Sequence, residues 1–331
     1  MEKPGTLKNH KSAYCRNPIW MVLKLAFANL HQFPSLKKLA LHFDVRYRPA
    51  VPFDSAGYPS YKVVRETGNS HQWDILRAIG KTRIPLPELQ SFKIYGWHCS
   101  AEFGSLFDQA PITRLIASLR HLHFSPPLVR PEDSVSRELL WKQVVMRRLL
   151  QPAKNLESLK ISRSQACHNK QCLDTSQVHL AATYPRLTAL SLSGIAWEDG
   201  KIGQGGMMMP PPLEDFIMRH RNTLKKLDIY NCSISVGAIS RVPSCYWADI
   251  YKRLTDAMTE LVEVKVGFFF GPHESPYVYL AGDTYRPVES LMETERFEGR
   301  ERDRLALEEF KAVVKNRRTG GSQDLDHEAK Q

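Results

Sequence analysis

No apolar run in the 331-residue chain approaches 18 residues, so a membrane-spanning helix is not expected. Cysteine is sparse. Six residues, at 15, 99, 167, 172, 232 and 245, are scattered over the whole length. Small disulfide scaffolds are far denser, so the pattern points to reduced thiols and an intracellular protein, cytoplasmic or nuclear. Catalytic signatures are also missing: no G-x-S-x-G, H-E-x-x-H or paired-carboxylate pattern stands out. The stretch GQGGMMMPPP (203–212) lacks the preceding strand and the entry lysine of a phosphate cradle, and reads as a flexible insertion. Cys167, His168 and Cys172 place three soft ligands within six residues, with His179 as a conceivable fourth. The second ligand pair of a zinc site is absent, so a polar loop is the better reading and no metal or other cofactor is expected.

What is present begins with charge. Charged residues are an ordinary 24 % of the chain, but the net charge is +11. That excess favours an acidic partner and says nothing about fold. Lys3, Lys8, Lys11 and Arg16 make a basic N-terminal arm over 1–16, followed by IWMVLKLAFANL. The Ala26-Phe27-Ala28 triplet imitates a signal-peptide cleavage site. Lys24 breaks that apolar run, however, and Ile19, Leu23, Phe27 and Leu30 fall at helical spacing, which predicts an amphipathic core helix instead.

The principal pattern is a repeat. Taking LKKLDI (224–229) as a template, apolar at its first, fourth and sixth positions, seven copies start at 36, 89, 119, 156, 187, 224 and 261. The fourth and sixth positions, two apart, face one side of a short strand. A strand that short must stack on neighbours of its own kind, and a parallel ladder requires crossovers. Helical patterns supply most of them: 17–30, 70–79, 133–150 (with Asp133 or Ser134 as cap), 175–183, 213–221 with Pro212 at its entry, and 247–259. The unit is helix, loop, strand, the leucine-rich-repeat order. The copy NTLKKLDIYNCSI (222–234) satisfies the full pattern through Cys232 and Ile234, with the cysteine expected to satisfy backbone groups at the strand exit. These observations predict an α/β leucine-rich-repeat-like solenoid, a horseshoe of about seven irregular helix–strand repeats with a parallel sheet on its concave face. The competing arrangement is an ordinary α/β sheet with helices on both faces. The solenoid with its cap is expected over 17–290. The aromatic stretch 267–288 forms the cap, a charged C-terminal helix covers 291–318 on a stripe of Leu307, Phe310, Val313 and Val314, and 319–331 is a disordered tail. Asp303 is a candidate cap of that helix.

The segment LEDFIMRHRNTLKKLDIYNCSI (213–234), with FPSLKKLALHF (33–43), NLESLKIS (155–162) and YPRLTALSLSGIAW (184–197), resembles the late repeats of fungal F-box proteins with leucine-rich-repeat-like C-terminal regions. The resemblance implies substrate recognition in a cullin-type ubiquitin ligase, docked through an F-box. No F-box is recognisable before the first repeat. Leu86-Pro87-Glu88-Leu89 imitates an F-box opening, but Leu89 already starts a repeat, and QSFKIYGW should continue as a strand. A ligase adaptor is therefore expected as a partner only if an F-box exists.

In such a repeat the third, fifth and seventh positions point away from the core. They nominate an extended binding face: Lys38, His42, Lys93, Tyr95, His121, His123, Lys160, Lys226, Asp228, Tyr230 and Lys265. Its five lysines oppose only Asp228 and Glu263, and Tyr95 and Tyr230 are its aromatic anchors. His121 and His123 have no acidic partner nearby in sequence and read as surface histidines. Catalysis is not expected. The expected activity is binding of a protein with an acidic surface, by a monomer that does not associate with membranes. A basic nucleic-acid-binding protein is the second reading. Against it, much of the positive charge sits in the terminal arms, including KNRR (315–318), and not in a folded stripe.

Overall fold

A computed structural model describes residues 18–42, 75, 78–79, 88–95, 110–125, 149–162, 173–174, 182–198, 212–236, 245–267, 277–281, 284–287 and 299–328. The expected helices at 133–150 and 175–183, the Cys167–Cys172 loop, the 203–212 insertion and the 1–16 arm lie wholly or almost wholly outside these residues.

The repeat strands form as spaced. They are β1 (Lys38–His42), β2 (Ser91–Tyr95), β3 (His121–Phe124), β4 (Ser158–Ser162), β6 (Ala189–Ser193), β8 (Lys226–Tyr230) and β10 (Glu263–Gly267). They make one seven-stranded sheet in the order β1-β2-β3-β4-β6-β8-β10, every pair parallel. The protein is thus α/β with a parallel sheet laid down in chain order. The sheet is not curled. Its register keeps like positions together: Leu39, Phe92, Leu122, Leu159, Leu190, Leu227 and Val264 are successive partners. The apolar positions of the five central units are all buried, while Leu36, Leu39, Val264 and Val266 at the two ends are only partly covered. An end unit lacks one neighbour, so part of its core surface stays uncovered.

One backbone device recurs at each strand entry. The carbonyls of Lys37, Gln90, Arg120, Glu157, Thr188 and Lys225 each accept two N–H groups from the next unit, at 2.8–3.0 Å. A carbonyl has two lone pairs, so one residue anchors the following strand without any side chain. Sequence identity at that position is therefore free to vary.

Helices precede several strands: α1 (Pro18–Ala28) before β1, α2 (Ala110–Ser118) before β3, α3 (Pro212–Arg219) before β8 and α4 (Trp247–Ala257) before β10. α2 was not expected; its nine residues carry only a brief apolar stripe. In α1 the expected core residue Phe27 is half-buried, as is Leu30 just beyond, but Met21, Val22 and Leu25 are exposed. α3 opens with Pro212, which has no N–H to leave unpaired. Glu214 on α3 is buried and receives a bidentate pair from Arg253 of α4, which ties adjacent units together.

A second sheet was not foreseen. β5 (Leu173–Asp174), β7 (Ile195–Glu198), β9 (Ser233–Val236), β11 (Tyr277–Ala281) and β12 (Thr284–Pro287) pair in the order β12-β11-β9-β7-β5, parallel except for β11–β12. The chain passes from the first sheet to the second through a left-handed residue: Gly194 (φ 68°) between β6 and β7, and Asn231 (φ 49°) after β8. Both donate N–H groups to the end of the next strand, Gly194 to Tyr230 O at 2.9 Å and Asn231 to Gly267 O at 2.8 Å. Glycine and asparagine are the residues that tolerate this conformation. Gly194→Val is expected to cost about 1–2 kcal/mol, read as a lower urea midpoint at unchanged slope.

The C-terminal helix α5 runs Gly299–Glu328. It therefore continues past the expected boundary at 318, through most of the stretch expected to be a tail. It also docks firmly on α4. Phe310 and Val314 are buried, and Phe310 stacks on Tyr251 of α4, which stacks on Trp247. Asp303 lies one turn inside α5 and caps a different helix. Its carboxylate accepts from Ala248 N (2.8 Å) at the start of α4 and from the Tyr277 hydroxyl (2.6 Å). The same hydroxyl accepts from Trp247 N at 2.8 Å. At the other end of α4, Arg317 donates to the carbonyls of Thr255 and Met258 at 2.7 and 2.8 Å. An acid thus meets the helix start and a base its end, the signs that the unpaired N–H and C=O groups favour.

Candidate functional site

Alternation sends the third, fifth and seventh positions of each unit to the face opposite the leucines. In-register stacking turns them into three rows across the sheet. The first row is Lys38, Ser91, His121, Ser158, Ala189, Lys226 and Glu263. The middle row is Ala40, Lys93, His123, Lys160, Ser191, Asp228 and Lys265. The last row begins with His42 and Tyr95 and ends with Ser162, Ser193, Tyr230 and Gly267. Of the eleven residues nominated from sequence, Lys38, His42, Lys93, His121, Lys160, Lys226, Tyr230 and Lys265 are exposed, while Tyr95, His123 and Asp228 are half-buried. Ser91 and Ser125, from the same positions, are buried and offer a partner almost no surface. Ser125 falls one residue past the end of β3, where its N–H donates to Ile94 O.

The face is electrically lopsided. Glu263 bonds both Lys226 and Lys265 at 2.9 Å. Hydrogen bonds from Lys265 and then Lys226 hold its carboxyl down to about 2. With Asp228 beside them, the positive and negative charges of β8 and β10 cancel. Lys38, Lys93 and Lys160 on β1, β2 and β4 make no ion pair among the described residues. The excess of three positive charges counted along the sequence therefore sits on β1–β4.

That half also holds a hydrogen-bonded cluster of three side chains from three strands. The Tyr95 hydroxyl and His123 Nδ1 share a 2.6 Å hydrogen bond, and His123 Nε2 and Ser162 Oγ share one of 3.0 Å. The Tyr95 ring stands edge-on to His123, with centroids 4.6 Å apart, and His42 stands edge-on to Tyr95 at 5.7 Å. His123 is the direct register partner of Lys93 on one side and Lys160 on the other. Burial, then Lys160, then Lys93 hold its imidazole down to about 4, so the ring is neutral near pH 7. Burial also raises the Tyr95 phenol. The expectation of a plain surface histidine is met only by His121. Sequence could not link Tyr95, His123 and Ser162, which come from three strands.

A buried histidine elsewhere has a structural role. His220 accepts from Tyr184 N at Nε2 (2.9 Å), so Nδ1 carries the proton and donates to Phe216 O (2.7 Å). Cys232 behaves as expected, with its thiol 3.5–3.6 Å from the carbonyls of Tyr230 and Leu192. At the far end of the last row the Tyr230 ring lies over Gly267. A Cβ there would come within 2.7 Å of the ring, so the absent side chain seats this aromatic anchor.

No family model, curated protein or solved structure matches this chain. No group of three or more His, Cys, Asp or Glu side chains with metal-site geometry occurs among the described residues. No helix among them is long and apolar enough to cross a membrane.

Proposed function

We infer that the chain is a non-catalytic protein-interaction module and that its partner is a protein with an acidic surface. The observation that carries this reading is the unpaired lysine set on β1–β4, laid out across a regular polar face. Positive potential there speeds and orients encounter with an acidic patch. Tyr95 and Tyr230 are the aromatic residues suited to anchor it. The recurring strand-entry hydrogen bonds and the turns at Gly194 and Asn231 support the finer reading of an irregular leucine-rich-repeat-like solenoid, with an open sheet face in place of a concave one. By resemblance its setting is substrate recognition for a cullin-type ubiquitin ligase, with adaptor docking depending on an F-box.

The test uses the full chain and a fluorescent poly-glutamate peptide, followed by anisotropy. Saturable binding that weakens as salt rises is expected, because exposed charges are screened. Absence of binding at low salt overturns the reading, as does tighter, salt-steep binding of duplex DNA.

A further inference from the structure

The reading above names a face; the geometry of its cationic half names a receptor within it. We propose that the partner presents a side-chain carboxylate over His123, between Lys93 and Lys160, and that seating it is coupled to uptake of one proton by the His123 imidazole. The proposal rests on the acidic-partner reading and goes beyond it in locating the contact and in giving it a pH dependence.

Both ring nitrogens of His123 are engaged, one with the Tyr95 hydroxyl and one with Ser162 Oγ. In the neutral ring one nitrogen carries a proton and the other must accept, so one of the two hydroxyls spends its O–H on the ring. In the protonated ring both nitrogens donate and both hydroxyls accept. The hydroxyl proton spent on the ring is then released, which leaves both the Tyr95 and the Ser162 O–H free to point outward. A carboxylate arriving there meets two hydroxyl donors flanked by the ammonium groups of Lys93 and Lys160, which the register places on either side of the ring.

The free and bound states differ in what they ask of the ring. Without a ligand, burial and the two lysines disfavour a third positive charge. A seated carboxylate offsets that repulsion and favours the imidazolium. Among the described residues, β2, β3 and β4 place these groups about His123. β2 supplies Lys93 and Tyr95, β4 supplies Lys160 and Ser162, β3 itself supplies His121, and His42 of β1 reaches the cluster only through Tyr95. No carboxylate of the protein forms an ion pair with this set among the described residues.

A group that binds its proton more tightly in the complex strengthens binding as pH falls through the bound-state pKa, down to the free-state pKa near 4. If the carboxylate restores the imidazole to its ordinary value of about 6.5, affinity rises about tenfold between pH 7.5 and pH 5.5.

The experiment measures binding of an N-acetylated, C-terminally amidated poly-glutamate peptide to the full chain at pH 7.5, 6.5 and 5.5. A Gly-Ser peptide with a free C-terminus serves as the arm for a terminal carboxylate. In parallel, the His123 ring protons are titrated by NMR with and without the glutamate peptide. The expected results are tightening toward pH 5.5 for the glutamate peptide, loss of that trend in His123→Gln, and its retention in His121→Gln and His42→Gln. The His123 titration moves upward when peptide is present, a readout that does not depend on any variant folding. Binding that is flat with pH, a trend that survives in His123→Gln, an unmoved His123 titration, or preference for the free C-terminus each overturns this inference and leaves the acidic-partner reading standing. No binding at any pH overturns both.

Discussion

Lys93→Glu/Lys160→Glu should weaken poly-glutamate binding at least about 100-fold, equivalent to about 2.8 kcal/mol, while leaving the fold intact. The two lysines flank His123 on adjacent strands and have no ion-pair partner among the described residues, so their charge is fully available to a ligand. Reversing both replaces two attractions with two like-charge repulsions, and like-charge juxtaposition costs several kcal/mol at an interface. Lys226→Gln should alter binding less than about threefold, because Lys226 is already paired with Glu263, and an exposed pair carries roughly 0–1 kcal/mol. Both variants alter exposed positions on the polar face, so their urea midpoints should stay near wild type. Equal losses from the two variants would refute the division of the face into a charged and a neutralised half. The reversed pair also removes the two cations that disfavour imidazolium, so His123 should titrate higher in this variant than in wild type.

Asp303→Ala should destabilise the chain by about 3 kcal/mol, although it lies far from the binding face. It strips the partner from Ala248 N and from the Tyr277 hydroxyl, two groups at a buried junction of α4, β11 and α5. Losing a helix cap costs about 1 kcal/mol, and orphaning a further buried donor about 1–3 kcal/mol. Poly-glutamate binding should survive wherever the variant remains folded, which separates this latch from the face. The carboxylate also carries a pH signature. Burial raises its folded-state pKa, with the bonds from Tyr277 and Ala248 opposing the rise only in part. A raised carboxylate holds its proton more tightly when folded, so its contribution to stability is greatest at acid pH. That contribution is lost as pH climbs from the ordinary value near 3.8 through the folded value. Measured against Asp303→Asn, wild-type stability should fall over that window and run flat above it. A difference that grows with rising pH would contradict the assignment.

The helix α5 shows why such features escape a linear reading. Asp303 looks from sequence like the cap of its own helix, because a cap is recognised by its place just before an apolar stripe. In the fold it serves α4, 55 residues earlier. The Tyr95–His123–Ser162 chain spans separations of 28 and 39 residues, distances that only strand stacking brings within hydrogen-bond reach. The second sheet escaped for another reason. Its strands are two to five residues long and have no independent alternation. Two of them, β7 and β9, exist as continuations of β6 and β8 across the left-handed residues Gly194 and Asn231.

Leucine spacing by itself determined the seven ladder strands, the side of each that is buried and the eleven residues on the opposite side, because alternation and burial are local consequences of residue type and order. The net positive charge of that face was likewise countable along the chain. Where the charge acts was decided only by tertiary structure. Glu263 meets Lys226 because the register of two strands 37 positions apart sets them side by side, and the His123 pKa is lowered because the fold buries the ring and flanks it with lysines from two other units. Ion pairing and desolvation depend on separations of a few ångströms in space, which the order of residues constrains only through the fold it produces.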